Sequence, residues 1–513
     1  MRFAVWLTAL SFAFSAVSYA QVPDLVPVPM SGSGGMLPSL GGADTGLSWV
    51  EERQIGDEIA YQIQQDPVYE RDPLLHEYVN DIWQRLLNAS LRDGELSKDL
   101  HQRMAWKMFL IRDPTVNAFA LPGAYIGVNL GLVSIVNTRD ELASVLAHES
   151  VHIFQRHIAR LYAESKNFSL ISIASLIIGA AAASANPSVG SAILMGGQAA
   201  AIQGQINFTR TMEYEADRIG YKVLVDAGFR PQGMAEMFQK LADAARYSDT
   251  TSYPYLRTHP LTNERIAEAQ VRAGIDLHTA SRPMDYQQAL MGARAKVLAR
   301  SQPDALRQLL QTGMGAPIAG READSRAGDL YAGALAAVKL RQFEQANQLQ
   351  QQLVDQVQGQ PVAERIAQLL GAEIALAENN PAQALQWLGD EPTTVAVLAR
   401  PERLLRAQTA LASGQPVQAI DSLQPWVFKQ TDDDVAWTLL STAYSMNRQP
   451  TLALRAEGES RMVVGDFGGA IDRFKVALSQ GRQNNATIYD LELIQARLRA
   501  AEQAQKDRME QMR

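Results

Sequence analysis

The sequence predicts an α+β domain, mostly helical with a small sheet, followed by an all-α domain of tetratricopeptide-type helical repeats. Three observations carry that expectation. Apolar residues at helical spacing lie on both sides of two short β-prone segments. A His148-Glu149-Ser150-Val151-His152 motif falls within one of the helical stretches, and helix-forming units recur at a near-constant interval in the C-terminal half.

With 513 residues the chain exceeds one ordinary hydrophobic core, so two or more domains are expected. A net charge of −8 gives no electrostatic reason for binding nucleic acid, and none is expected as a partner. The chain has no cysteine, so neither disulfides nor a lipid-bearing cysteine can tether it.

Met1-Arg2 precede an apolar run from Phe3 to Val17, and Ser18-Tyr19-Ala20 place small residues at positions −3 and −1 of a cleavage site. Residues 1–20 therefore read as a secretory signal peptide, with a soluble mature chain starting after Ala20. Residues 21–47 are rich in Pro, Gly and Ser and read as a flexible lead-in. A first folded domain is expected over 48–282 and a repeat domain over 283–513.

Ile55, Ile59 and Ile63, then Leu75, Val79, Ile82 and Leu86, have helical spacing broken at Asp72-Pro73. Met108–Ile111 and Ala124–Leu130 are the β-prone segments, bounded by Asp113-Pro114 and Pro122-Gly123. Thr138-x-x-Glu141 has the form of a capping box, and Leu142, Val145, Leu146 and Ile153 continue as a helix. From Asn167 to Thr209 there is no charged residue. That stretch is read as packing within the protein, as a flap making peripheral membrane contact, or as a short span, with Ser169, Ser172, Ser175 and Asn186-Pro187 arguing against the last.

In the C-terminal half, Trp437, Leu440, Ser441, Tyr444 and Ala453 fit the tetratricopeptide pattern, and Ala470, Phe474 and Ala477 fit its second-helix half. Ala346, Ala384, Ala419 and Ala453 follow at intervals of 38, 35 and 34 residues, the length of two antiparallel helices. A non-repeating helical bundle is the plainer reading. A solenoid would present a concave face to protein segments.

His148 and His152 are four apart on one helix, so both imidazoles can reach one ion. Glu149 stands beside them, able to contact water on the metal. Zinc lowers the pKa of such a water toward about 7, and the glutamate takes its proton as a peptide carbonyl is attacked. One zinc ion per chain is expected. His157 lies five residues past His152, off the ligand face of a continuous helix, and is read as structural. A third ligand must come from elsewhere. Glu213 and Asp217 share a helix face in Thr211-Met212-Glu213-Tyr214-Glu215-Ala216-Asp217-Arg218; Glu213 is assigned as the ligand in preference to Glu215, and Asp217 as the partner of a histidine N–H. In isolation this acidic cluster reads as a solvated helix face.

The motif at His148–His152, the Glu-x-x-Ala-Asp element at Glu213–Asp217, Asn117-Ala118-Phe119-Ala120-Leu121-Pro122-Gly123, and His259-Pro260 followed by Glu264-Arg265-Ile266 resemble the HtpX-like zinc peptidases over Trp49–Ala273. The signal peptide and repeats resemble their periplasmic, repeat-bearing branch. The resemblance implies a zincin fold of the gluzincin type, zinc ligands His148, His152 and Glu213, and Glu149 as the catalytic glutamate. It also implies work on stalled or misassembled outer-membrane β-barrel proteins, with the barrel assembly machinery as partner through the repeats. Ala124 departs from the pattern, standing where relatives often have a second glycine.

Two readings remain open. One is a periplasmic zinc endopeptidase whose extended substrate pairs along the Ala124–Leu130 edge. The other is a repeat-based chaperone or assembly adaptor with a normally latent protease site. His259, held in a loop by Pro260, is a candidate fourth metal ligand and latch, or a helix cap or substrate contact.

Overall fold

The computed structural model describes residues 47–164, 209–247, 253–274, 283–316, 322–390, 398–484 and 486–511. The signal peptide, the lead-in to residue 46, the uncharged stretch from 167 to 208 and the expected domain boundary within 275–282 lie outside the described residues.

Helix α1, Trp49–Gln65, starts at Ser48 with a complete capping box formed with Glu51. Helix α2, Pro73–Asp93, is capped by Asp72, whose carboxylate accepts from the Leu75 N–H at 3.0 Å. Pro73 sits in the first turn, where its missing N–H costs nothing. Leu75, Val79, Ile82 and Leu86 form the buried stripe of α2, each contributing about 1.5–3 kcal/mol on burial.

The sheet consists of β1 (Tyr69–Glu70), β2 (Lys107–Ile111), β3 (Ala118–Leu121) and β4 (Tyr125–Asn129), in the order β1-β2-β4-β3. Helix α3, Lys98–Arg103, leads into β2. Strands β2 and β4 run parallel, and β3 folds back antiparallel on β4 through Pro122-Gly123-Ala124. Gly123 and Ala124 are both left-handed, with φ of 77° and 64°, so the turn holds Ala124 in a conformation that glycine adopts without penalty. This arrangement overturns the expectation that Ala124–Leu130 is a free edge. Strand β4 is paired on both sides, and the edge strands are β1 and, beside β4, β3.

Helix α4, Leu130–Ile135, leads to α5, Arg139–Phe154, which carries the histidine motif and is buried along nearly its whole length. Thr138 caps α5 by accepting from the Glu141 N–H at 3.3 Å. The Glu141 carboxylate accepts from the Asn137 N–H and pairs with Lys240, so only half of the expected box forms. Around α5 lie α6 (His157–Glu164), α7 (Arg210–Asp226), α8 (Gln232–Tyr247), α9 (Tyr255–Thr258) and α10 (Asn263–Ala273).

Helix α11, Tyr286–Ala299, packs on α4 and α2, and is followed by α12, Pro303–Met314. Four antiparallel pairs follow: α13 and α14 (Ala323–Lys339, Phe343–Gln356), α15 and α16 (Pro361–Ala377, Pro381–Leu388), α17 and α18 (Arg400–Ala412, Pro416–Lys429), α19 and α20 (Asp434–Met446, Pro450–Val463). Helices α21 (Phe467–Gln483) and α22 (Ile488–Gln511) close the array. Ala346, Ala384, Ala419 and Ala453 are all buried in the first turn of the second helix of their pair. Two residues before each of these helices stands a left-handed residue: Arg341, Asn379, Gly414 or Arg448. One turn geometry thus recurs through the array.

The array joins the first half through a buried ion cluster. The Arg294 guanidinium on α11 meets Asp72 at 2.6 Å and Glu373 on α15 at 2.8 Å, and donates to the Tyr331 hydroxyl on α13 at 2.8 Å. Further along, Arg508 on α22 pairs with Glu58 on α1 at 3.0 Å and lies over the Tyr61 ring. Among the described residues no helix is long and apolar enough to cross a membrane.

Candidate metal centre

Helix α7 crosses α5 closely at Gly220, where a Cβ would come within 3.3 Å of the backbone at His148. Glu213, Ala216, Asp217 and Gly220 form one stripe of α7 at helical spacing. The small residues bring the backbones together, and the acidic ones thereby reach the histidines of α5. His259 arrives from the other side, at the C-terminal end of α9, with Tyr255 stacked on its ring at 4.6 Å.

His148, His152, Glu213 and His259 each offer one ligand atom, and these four atoms lie within 4.8 Å of one another, all buried. His148 Nε2 is 3.0 Å from His152 Nε2, 3.3 Å from His259 Nδ1 and 3.6 Å from Glu213 Oε2. Glu213 Oε1 is 3.0 Å from His259 Nδ1 and 3.6 Å from His152 Nε2. A tetrahedral ion with bonds of about 2.0–2.1 Å requires ligand atoms about 3.3 Å apart, so the spacing fits zinc, as does the donor set. Glu213 Oε2 and Glu149 Oε1 are buried without a hydrogen-bond partner, the condition that a bound cation and its water would relieve.

Partners outside this cluster orient it. Asp217 Oδ1 lies 2.9 Å from His148 Nδ1, and both Asp217 oxygens receive the Arg265 guanidinium at 2.6 and 2.8 Å. Burial opposes ionisation of Asp217, but Arg265 and His148 hold its carboxyl down to about 2. Arg265 also comes within 2.7 Å of Glu213 Oε2 without hydrogen-bond alignment, an ion pair by distance only. Burial likewise opposes charge on Glu213, yet His259 and His148 keep its carboxyl below the ordinary value.

Glu149 behaves in the opposite way. Burial pushes its carboxyl up, against the pull of His259 and His148. Its Oε2 accepts from the Ala120 N–H at 3.1 Å, and its Oε1 lies 3.4 Å from His259 Nε2. Burial pushes the His152 ring well below the usual histidine range, so it is neutral and able to donate a lone pair.

His157 differs from its expected placement. Arg156 is left-handed, with φ of 50°, which ends α5 and starts α6 in a new direction. The His157 ring thereby returns to His152, Nδ1 to Nδ1 at 2.9 Å, while its Nε2 is 3.1 Å from Glu215 Oε2.

Sequence reasoning gave no role to Arg265 or Ala120 and read His157 only as structural. Arg265 sits in the Glu264-Arg265-Ile266 segment that carried the resemblance, which was its only visible signal. His157 could be found only by knowing that the helix breaks before it.

His148, His152, Glu213 and His259 form a cluster able to bind one metal ion, beside Glu149 and a small mixed sheet, an arrangement that fits a zinc-dependent metalloendopeptidase. A model of peptidase family M48 matches residues 76–273. The beta-barrel assembly-enhancing protease of Escherichia coli K12 is 30% identical over 449 residues, covering 86% of this chain and 87% of that one. The protein of the same name from Yersinia pestis is 30% identical over 489 residues, covering 90% and 93%. A Vibrio cholerae relative is 37% identical over 266 residues, a match that spans about half of either chain, 52% in each case. The chain belongs to peptidase family M48, among the relatives of the beta-barrel assembly-enhancing proteases.

Proposed function

We propose that this chain acts in the bacterial periplasm in outer-membrane protein quality control, degrading or assisting the assembly of stalled or misfolded β-barrel proteins. The observation that carries the reading is the convergence of His148, His152 and Glu213 beside Glu149, directly under the edge strand β3. The names of the relatives supply the substrate class.

His148, His152 and Glu213 hold the metal, and Asp217 orients His148. Zinc, when bound, supplies a Lewis acid that polarises water and the peptide carbonyl. Glu149 takes the proton of the attacking water at Oε1 and returns it to the leaving amine. The substrate lies extended along β3. The Asn129 N–H donates to the Asn117 carbonyl at 3.0 Å, so by alternation Ala118 and Ala120 turn their backbone groups away from β4; the Ala120 N–H is held by Glu149, and the remaining groups are left for an added strand.

The wider assignments belong to the same proposal: a signal peptide over 1–20 removed after Ala20, a protease domain over 48–282 and tetratricopeptide-type repeats over 283–513. The repeats dock the barrel assembly machinery, and the uncharged stretch 167–209 is the candidate for peripheral membrane contact.

A second reading has its own support. His259 Nδ1 stands among the ligand atoms, and its Nε2 faces Glu149. A fourth protein ligand closes the position that a catalytic zinc keeps open, so His259 acts as a latch and the resting chain serves mainly as an adaptor.

The test is cleavage of a denatured outer-membrane β-barrel protein by the purified chain with zinc measured. Zinc-dependent cleavage that spares the folded barrel is expected. A zinc-loaded chain, including the His259→Ala variant, that leaves the denatured protein intact would refute the proposal.

A further inference from the structure

We infer that His157 and Glu215 form a positioning pair that fixes the tautomer of His152 and thereby its capacity to hold the metal. The inference rests on the metal-centre reading above. It goes beyond that reading by giving work to two residues outside the ligand set.

The His152 ring stands between two sets of contacts. Its Nε2 faces the cluster, 3.0 Å from His148 Nε2 and 3.6 Å from Glu213 Oε1. Its Nδ1 faces away, 2.9 Å from His157 Nδ1. A neutral imidazole carries one proton, so His152 offers a lone pair at Nε2 only if that proton sits on Nδ1. His157 Nδ1 must then be bare and accept it.

The His157 proton is accordingly on Nε2, which lies 3.1 Å from Glu215 Oε2. Glu215 is a carboxylate that accepts and cannot donate, and Arg160 Nη1 approaches the same oxygen at 3.1 Å. The acceptor at Glu215 therefore sets the proton on His157, and His157 sets the proton on His152. The reversed chain would aim an N–H from His152 Nε2 at His148 Nε2, where a cation could not bind.

This device differs from the one on His148, where Asp217 takes the Nδ1 proton directly. The two histidine ligands thus have unlike partners, a carboxylate for one and a neutral imidazole for the other. The break at Arg156 makes the difference possible, because only the change of direction after α5 swings His157 back against His152. Metal ligands whose outer partners are removed lose about 10–100-fold in affinity, which sets the size of the effect to expect.

The experiment compares His157→Gln with His157→Leu in the full chain, reading zinc affinity by chelator competition and the melting temperature of the metal-free protein. Glutamine can accept from His152 and donate to Glu215, whereas leucine fills similar space and does neither. Leucine is expected to weaken zinc by about 10–100-fold and glutamine to restore most of the loss, with metal-free melting temperatures alike. Glu215→Leu should weaken zinc in the same direction. Equal zinc affinity in the leucine variant and the wild type would overturn the inference, as would equal loss in both variants together with equal loss of metal-free stability. His152→Ala separates the levels. If that variant binds zinc as the wild type does, the metal-centre reading itself fails; if it loses zinc while His157→Leu does not, only the positioning pair fails.

Discussion

The backbone N–H of Ala120 on the edge strand donates at 3.1 Å to Oε2 of Glu149, the glutamate of the histidine motif. One contact therefore ties the strand that would align a substrate to the group that would move its proton. The other oxygen, Oε1, is buried without a hydrogen-bond partner. Glu149→Gln keeps the shape and the ligands, so zinc content should be unchanged while turnover of an unfolded substrate falls about 10²–10⁴-fold. Wild-type turnover by a zinc-loaded variant would remove Glu149 from the chemistry.

Glu213 and Glu215 are two residues apart on α7 and face different rings. Glu213 meets His148, His152 and His259, whereas Glu215 meets His157 and Arg160. Glu213→Ala should abolish zinc binding, while Glu215→Ala should weaken it by about 10–100-fold. Metal content after dialysis and chelator titration measure both. Retention of zinc in the first together with complete loss in the second would reverse the assignment.

His259 bridges the two carboxylates of the site, with Nδ1 3.0 Å from Glu213 Oε1 and Nε2 3.4 Å from Glu149 Oε1. Under the latch reading His259→Ala opens the fourth position and raises proteolysis, including self-cleavage seen as new bands on storage. Adding Glu149→Gln should abolish the gain. A drop in turnover for the single variant would instead make His259 a substrate or positioning contact.

Arg294 pairs with the buried Asp72 and the half-buried Glu373, so its removal leaves both carboxylates without their shared cation. Arg294→Ala should cost about 3–5 kcal/mol, measured by denaturant unfolding of the metal-free protein. Gln288 on the same helix donates to the carbonyls of Val133 and Val136 at 2.9 and 3.1 Å. Truncation after residue 282 removes both residues and should lower the melting temperature of what remains. Equal melting temperatures for truncated and full chains would show that α11 adds nothing to the first half.

The sequence by itself determined the local facts. Spacing of four placed His148 and His152 on one helix face, Asp72-Pro73 marked a break between helices, Thr138 marked a helix start, and the spacing of Ala346, Ala384, Ala419 and Ala453 gave the repeat length. Those features depend on contacts within a few residues, and helical periodicity makes them visible. The tertiary structure decided which faces meet. Small residues on α7 let Glu213 and Asp217 approach α5, a left-handed Arg156 turned His157 onto His152, and the turn at Gly123-Ala124 made β3 the edge in place of β4. It also brought His259 and Arg265, over 100 residues from the motif, into the same cluster. Such contacts are set by the packing of separate elements, whose energies depend on the shapes and charges of surfaces that no local pattern encodes.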